Sequence, residues 1–368
     1  MIIRAAASPG EIRAVACDAL GLLDVAIERP GAPDGVGDLH RGRITARRPA
    51  LAGSFVRLHD GTEGFLPDSA GGDRPEGTIL AVRITRAAQG GKGPRLTARL
   101  PETDHAPGPV ALLQRGPGAI ERLALLHPAA PITIDDATLF AALRPRLGDR
   151  LSRVSRSFDE SLESEFESLA ESHADLPGGA RMSIHPTPAL TAIDLDLGAG
   201  SSASGDKART HEQANRAALA PLARHIRLRN LSGAIVVDLA GLSPKRRAAL
   251  APALAAALDA DPLKPRFLGF TALGLAEILR PRVHPPLHEL LAGPHAAALA
   301  ALRHAARQAA ATPHARLALR AGQSVLDAVR ADPAAIADFT QRAGHPISLR
   351  PDATLPPMAW RIEEIAHG

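Results

Sequence analysis

Two apolar runs in the second half of the chain each stop at an aspartate. Leu190-Thr191-Ala192-Ile193 leads into Asp194, with Asp196 two places on, and Ala234-Ile235-Val236-Val237 leads into Asp238. Short runs this apolar and β-branched have the pattern of strands covered on both faces. Between and after them the pattern alternates. A glycine/serine loop from Gly198 to Asp206 precedes a helix near 207–229, and a second helix runs from Ser243-Pro244 to Leu258. A strand follows over Phe267-Leu268-Gly269-Phe270. This rhythm predicts an α/β layer.

Upstream the pattern is different. Residues 1 to about 33 read as a strand, a turn and a second strand, closed by Pro30-Gly31 and Pro33-Asp34-Gly35. Short strands follow at Gly42-Arg43-Ile44-Thr45, 53–58, Glu63-Gly64-Phe65-Leu66-Pro67, 79–84 and Arg95-Leu96-Thr97-Ala98. Strands this short, joined by glycine turns, predict a small barrel. Residues 101–150 are first proline-rich, then helical over Asp136–Leu147, and an acidic helix is predicted over Ser155–Ser172, ending at Pro177-Gly178-Gly179. After Pro285-Pro286 the chain is alanine-rich and helical, with strands near 315–319 and 346–350, which reads as a small separate α/β unit.

Composition narrows the possibilities modestly. With 368 residues the chain has room for two or three domains. Lys+Arg is 43 against Asp+Glu 39, a net +4 that allows a polyanionic partner without requiring one. Cys17 is the single cysteine, which excludes internal disulfides and a cysteine-based zinc site. Met1-Ile2-Ile3-Arg4 does not open a signal peptide, and no apolar run reaches membrane-span length, so a cytoplasmic protein with no membrane partner is expected.

A carboxylate at the end of a buried strand is costly unless something positive holds it. Two brought together suggest a hard divalent cation, because oxygen ligands suit magnesium or manganese. The competing reading is that Asp194 and Asp238 cap the helices that follow them; Asp196 shifts the balance towards a metal, and Asp206 is the better cap. Arg209, Arg216, Arg224, Arg227 and Arg229 on the 207–229 helix form either a solvated face or a surface for an RNA backbone. Phe55 and Phe65 are two of eight phenylalanines; spacing favours the barrel core, while exposure would make them a stacking platform for unpaired bases. Lys92, in Gly90-Gly91-Lys92-Gly93, sits on a glycine loop where it is either solvated or able to reach a phosphate. His59, His185, His284 and His288 show no ligand pair on one helical face.

Taken in order, several of these segments resemble the ribonuclease E/G family. The likeness runs through Leu176-Pro177-Gly178-Gly179, Leu190-Thr191-Ala192-Ile193-Asp194, Gly205-Asp206, Asn215, Ala223–Arg229, Gly233–Asp238, Gly274-Leu275-Ala276-Glu277 and Arg280-Pro281-Arg282. Gly42-Arg43-Ile44, Ala52–Val56 and Gly64-Phe65-Leu66-Pro67 carry it into the barrel, and 296–365 is weakly similar to the family's small C-terminal domain. The resemblance implies an α/β (α+β) multi-subdomain fold. Its parts are a ribonuclease-H-like subdomain (1–35 and 151–180), an inserted OB-fold barrel (36–100) and a reduced 5′-sensor-like region (101–150). A deoxyribonuclease-I-like catalytic subdomain (181–285) and a small C-terminal domain (290–368) complete it.

It also implies a magnesium-dependent endoribonuclease, with manganese as an alternative ion, that cuts single-stranded RNA to 5′-phosphate and 3′-hydroxyl ends. Asp194 and Asp238 would be catalytic metal ligands, Asp196 a third acid, and Phe55, Phe65 and Lys92 the RNA-binding residues. Departures from the family pattern are equally legible. Asp196 stands where the family has asparagine, and Gly241 where an acid is expected three residues after the second aspartate. The paired zinc-link cysteines are missing, so no structural zinc and no zinc-linked dimer is expected, though another oligomer remains open. The shortened 101–150 region implies weak dependence on the RNA's 5′ end. Two other readings stay open: a non-catalytic RNA-binding protein in ribosomal RNA maturation, and a barrel that recognises some other ligand.

Overall fold

Both aspartate-tipped runs form strands, and they lie side by side and parallel in one sheet. The structure is a computed structural model that describes residues 1–101, 108–198, 207–239 and 241–365, with only the backbone at 207–209. The Gly205-Asp206 segment and the expected cap at Asp206 lie outside the described residues.

In chain order the elements begin with β1 (Ile2–Ser8), β2 (Glu11–Asp18) and β3 (Gly21–Glu28), an antiparallel meander. The pattern predicts two strands here; the third arises because Gly21, at φ 110°, turns the chain back directly after Asp18. The barrel strands are β4 (Leu39–Arg48), β5 (Gly53–Arg57), β6 (Glu63–Pro67), β7 (Ile79–Arg86) and β8 (Arg95–Thr97), followed by β9 (Ala111–Gln114). Next come α1 (Ala119–Leu126), β10 (Ile132–Ile134), α2 (Ala137–Leu147) and β11 (Leu151–Arg153). Helix α2 starts where Asp136 accepts the Leu139 N–H at 2.8 Å.

The acidic helix is shorter than its pattern suggests. It is α3 (Glu160–Ser168), because the Asp159 carboxylate caps it at the Leu162 N–H and Phe158 turns inward ahead of it. The chain continues as β12 (His173–Leu176), β13 (Ala180–Pro186), β14 (Leu190–Asp196), α4 (Lys207–Leu228), β15 (Gly233–Asp238), α5 (Pro244–Leu258), β16 (Arg266–Phe270) and β17 (Ala276–Arg280). The tail holds α6 (Leu287–Leu290), α7 (Gly293–Ala311), β18 (Arg316–Ala321), α8 (Gln323–Arg330), α9 (Pro333–Ala343), β19 (Ser348–Pro351) and β20 (Trp360–Ile365). No described helix is long and apolar enough to cross a membrane.

These elements divide into two units. The first comprises residues 1–33, 119–171 and 287–368. Its main sheet has the order β11-β10-β1-β2-β3, with β10 and β11 parallel to β1. Residues 119–150, which fall in the expected 5′-sensor-like region (101–150), thus supply strand β10 to the N-terminal sheet, and Ile120 and Leu123 of α1 pack on its core. The tail builds its own sheet, β19-β18-β20, covered by α7, α8 and α9 around Leu319, Val325 and Phe339.

The second unit comprises residues 34–118 and 172–286. Strands β5-β6-β8-β7-β4 close on themselves through the β4–β5 pairing, a five-stranded barrel filled by Ile44, Val56, Leu66, Val82 and Leu96. The other part is a sheet of order β12-β13-β14-β15-β17-β16. Ile193, Leu195, Ile235 and Val237 face α4 and α5, meeting Leu222, Ile226, Leu250 and Leu254 in one core. Beneath this layer Arg280 Nε donates to Asp261 Oδ2 at 2.6 Å, and its Nη1 reaches Asn230 Oδ1 at 2.7 Å, all deeply buried at the pair. Arg280→Ala leaves the Asp261 carboxylate buried and uncompensated, so urea denaturation should show a loss of about 3–5 kcal/mol. A loss below about 1 kcal/mol, the range of an exposed pair, would contradict that reading.

Candidate active site and nucleic-acid interface

Side chains alternate along a strand, so the residues opposite the core face of the second unit's sheet share one surface. On β14 these are Ala192, Asp194 and Asp196; on β15 they are Ala234, Val236 and Asp238. The parallel register sets Asp194 directly beside Asp238. All three aspartates are exposed, whereas their chain neighbours Ile193, Leu195 and Val237 are buried. Helix α4 follows β14 and α5 follows β15 on the core side, so neither Asp194 nor Asp238 is spent as a cap. Among the described residues neither one has a hydrogen bond or an ion pair.

The same face continues on both sides. Ser183 of β13 is in register with Asp194, and His173 of β12 with Ser183. One row along, His185 pairs with Ala192, and Val236 with Glu277 of β17. Arg181 pairs with Asp196 and donates from Nε to Asp175 Oδ1 at 3.0 Å. Asp196 turns away from the pair: its Oδ1 accepts the Gly198 N–H at 2.9 Å and closes the turn out of the strand. His185, Arg181 and Glu277 carry no signal as site residues in a motif reading; their period-two placement on β13 and β17 is what brings them to this face.

The donor set can be tested against a cation directly. Like charges directly opposite in a sheet destabilise it. Adjacent strands stand ~4.8 Å apart, within reach of one shared ion. Among the described residues no group of three or more His, Cys, Asp or Glu side chains could hold a metal. The in-register pair is a pair of carboxylates that, among the described residues, have no other partner, which fits a magnesium ion that keeps several waters and uses one or two carboxylates.

The barrel presents a second surface. Phe55 and Phe65 are cross-strand partners, and their rings meet edge to face with centroids 5.8 Å apart. Spacing alone favours the core for both. The structure puts them outside, because Val56 and Leu66 take the inward positions of the same strands. Gly53 makes room for the Phe65 ring: a Cβ there would stand 2.4 Å from its Cζ. Arg95 of β8 pairs with Phe65 in register and is exposed, an interface residue the motif reading missed although it stands out of the core on an alternating strand. Burial, and Arg95 and Arg282 beside it, lower the Arg86 pKa, a sign of concentrated positive charge.

The segment bearing Lys92 is a tight turn rather than a loose loop. Gly90 and Gly91 adopt φ 58° and 71°, and Gln89 and Lys92 bridge the two strands, each N–H bonding the other's carbonyl at 3.1 Å. Lys92 is exposed on it. The barrel is tied to the segment after β17 by the Ala87 N–H donating to Val283 O at 2.8 Å, and by His284 Nδ1 with Asp34 Oδ2 at 2.6 Å.

The arginines of α4 play a different part from an RNA-facing stripe. The helix covers the core face of the sheet, Arg227 Nη1 donates to Ala260 O at 2.9 Å, and buried Arg229 donates to His173 O at 3.1 Å. Arg216 stands near Glu212 at 3.9 Å, and the Arg209 side chain lies outside the described set. Asn215 is fully buried and its amide donates to His211 O.

Residues 138–283 match the model of the Ribonuclease E/G family, a span that contains both in-register aspartates but not the barrel. Ribonuclease E of Haemophilus influenzae is 24% identical over 386 residues, spanning 76% of this chain and 41% of that protein. Ribonuclease E of Synechocystis is 34% identical over 121 residues, 33% of this chain and 18% of the relative. Ribonuclease G of Escherichia coli K12 is 32% identical over 133 residues, 35% of this chain and 27% of the relative. The chain thus covers well under half the length of each of these relatives.

If Asp194 and Asp238 repel each other across the sheet, Asp194→Asn should raise stability in metal-free buffer, by about 0.5 kcal/mol, and thermal unfolding with a chelator present reads this directly. Unchanged or lower stability would show that the pair carries no mutual strain.

Proposed function

Because this chain belongs to the ribonuclease E/G family, we propose that it is an endoribonuclease of RNA processing or decay that hydrolyses single-stranded RNA at the Asp194–Asp238 pair. The observation that carries this is the parallel register, which sets two carboxylates, exposed and without a partner among the described residues, side by side on one sheet face. Asp194 and Asp238 would hold a magnesium ion, or manganese in its place. When bound, such an ion acidifies water and screens the charge that develops on phosphoryl oxygens.

The protein's own contribution is placement. The rigid strands fix the two carboxylates, and the turn made by Asp196 and Gly198 directs the chain away from them. Phe55 and Phe65 hold unpaired bases by stacking, which selects single strands because paired bases hide their faces. Arg95 and Lys92 take backbone phosphates beside those rings. In the reaction the water oxygen bonds to phosphorus, the bond from phosphorus to the 3′-oxygen breaks, and a proton passes to that oxygen. The products are a 5′-phosphate and a 3′-hydroxyl.

At the level of subdomains, the antiparallel meander β3-β2-β1 extended by parallel β10 and β11 supports reading the first unit's sheet as ribonuclease-H-like. The two-sided sheet with carboxylates on its free face supports a deoxyribonuclease-I-like reading of the second. The barrel supports an OB-type module.

The test is cleavage of an end-labelled single-stranded RNA with magnesium, alongside RNA binding by anisotropy. Asp194→Asn and Asp238→Asn should each abolish cutting while leaving binding within about twofold, and Phe65→Ala should weaken binding by roughly 1–3 kcal/mol. A wild type that binds RNA but never cuts it would move the assignment to an RNA-binding protein of RNA maturation.

A further inference from the structure

The first unit contains a cavity of about 470 Å³ bounded by the β1–β2 turn, the segment after β11, and helices α7 and α9. Five arginines line it: Arg13, Arg156, Arg303, Arg307 and Arg342, against the two carboxylates of Asp135 and Glu163. Arg13 and Arg303 are only 5% and 9% exposed.

Arg13 and Arg303 also belong to an ion-pair network whose other members include residues outside the cavity lining. Glu11 takes Arg13 at 2.8 Å, Arg29 at 3.1 Å and Arg303 at 3.3 Å. Glu163 pairs with Arg307 and stands 3.7 Å from Arg13, while Glu167 stands 3.9 Å from Arg13 and 3.8 Å from Arg303. Four guanidiniums therefore share three carboxylates. Arg13 Nη1 is buried and makes no hydrogen bond. Arg342 is matched by Asp136 and Asp338. Asp135 accepts the Ala7 N–H at 2.9 Å, and burial raises its pKa.

At the mouth, Arg156 and Arg307 side chains are 54% and 50% exposed. Arg156 uses Nε on Phe158 O and meets only a solvent-exposed Glu160 at 4.0 Å, so its outer nitrogens are available. Phe158, Ala306 and Ala310 supply apolar wall. The volume lies in the range of small-molecule sites, and a pocket of apolar wall with a few convergent polar groups is what such sites look like.

We propose that this cavity binds a small phosphate monoester of mononucleotide size, the phosphate held by Arg156 and Arg307 and the remainder lying against the apolar wall. Burial, with Arg13 beside it, lowers the Arg303 pKa to about 10, and an anion at the mouth gains charge-assisted hydrogen bonds from the two half-exposed guanidiniums.

Isothermal titration of the full chain tests this, with adenosine 5′-monophosphate and adenosine as probes. The monophosphate should bind saturably at millimolar concentration or below, and adenosine should bind at least tenfold more weakly. Arg156→Ala and Arg307→Gln should each weaken the monophosphate about tenfold, whereas Arg330→Ala, on α8 and outside the cavity lining, should leave it unchanged. Arg307 also holds the buried Glu163, so where Arg307→Gln does not fold, the exposed Arg156→Ala carries the test. No binding, equal binding of adenosine, or an affinity that Arg156→Ala leaves intact overturns the proposal. Loss of cleavage in the carboxylate variants bears only on the nuclease reading and leaves this one standing.

Discussion

The register between β14 and β15 is the constraint on which the candidate chemistry depends. Strand side chains repeat every two residues, so a slip of one position would carry Asp194 to the core and Ile193 to the solvent. That slip is prevented by burial: Ile193, Leu195, Ile235 and Val237 are held against Leu222, Ile226, Leu250 and Leu254 of the two helices behind. The apolar half of each strand therefore positions its polar half. Two carboxylates are kept adjacent by a core that gains nothing from their charge. Such local conflict between stability and placement is expected where a protein does chemistry.

The second unit extends this logic from the reacting groups to the substrate. Its barrel fills its interior with Val56, Leu66 and their neighbours, which forces Phe55 and Phe65 to the outside. A half-buried edge-to-face pair beside an in-register arginine is a platform suited to bases and phosphates together. Backbone and side-chain links at Ala87, Val283, Asp34 and His284 join the barrel to the segment after β17. Binding surface and reactive pair are thus parts of one unit, and the first unit carries a separate, arginine-lined cavity.

Much of this was legible because it rests on local pattern. Strands β14 and β15 announce themselves by unbroken β-branched runs, and the barrel by short strands between glycine turns. Strands β13 and β17 were not, for a physical reason. Ala180–Pro186 alternates buried Ala180, Met182 and Ile184 with polar Arg181, Ser183 and His185, and a short alternation after Pro177-Gly178-Gly179 looks like a loop. The facing of Phe55 and Phe65 depends on which strand neighbours fill the barrel, a tertiary choice that spacing does not contain. The arginines of α4 look like an RNA stripe in sequence, yet Arg227 and Arg229 are consumed by carbonyls that only the folded chain brings near. Asp196 reads as a third acid in the site, and only the fold shows that its Oδ1 also accepts the Gly198 N–H.

The central claim, that Asp194 and Asp238 jointly bind a divalent cation, is most directly tested by titrating Mn²⁺ into the protein without RNA and following the free ion by electron paramagnetic resonance. The account predicts uptake by the wild type and an affinity weakened about tenfold or more by Asp238→Asn. Equal Mn²⁺ affinity in the two proteins would contradict it.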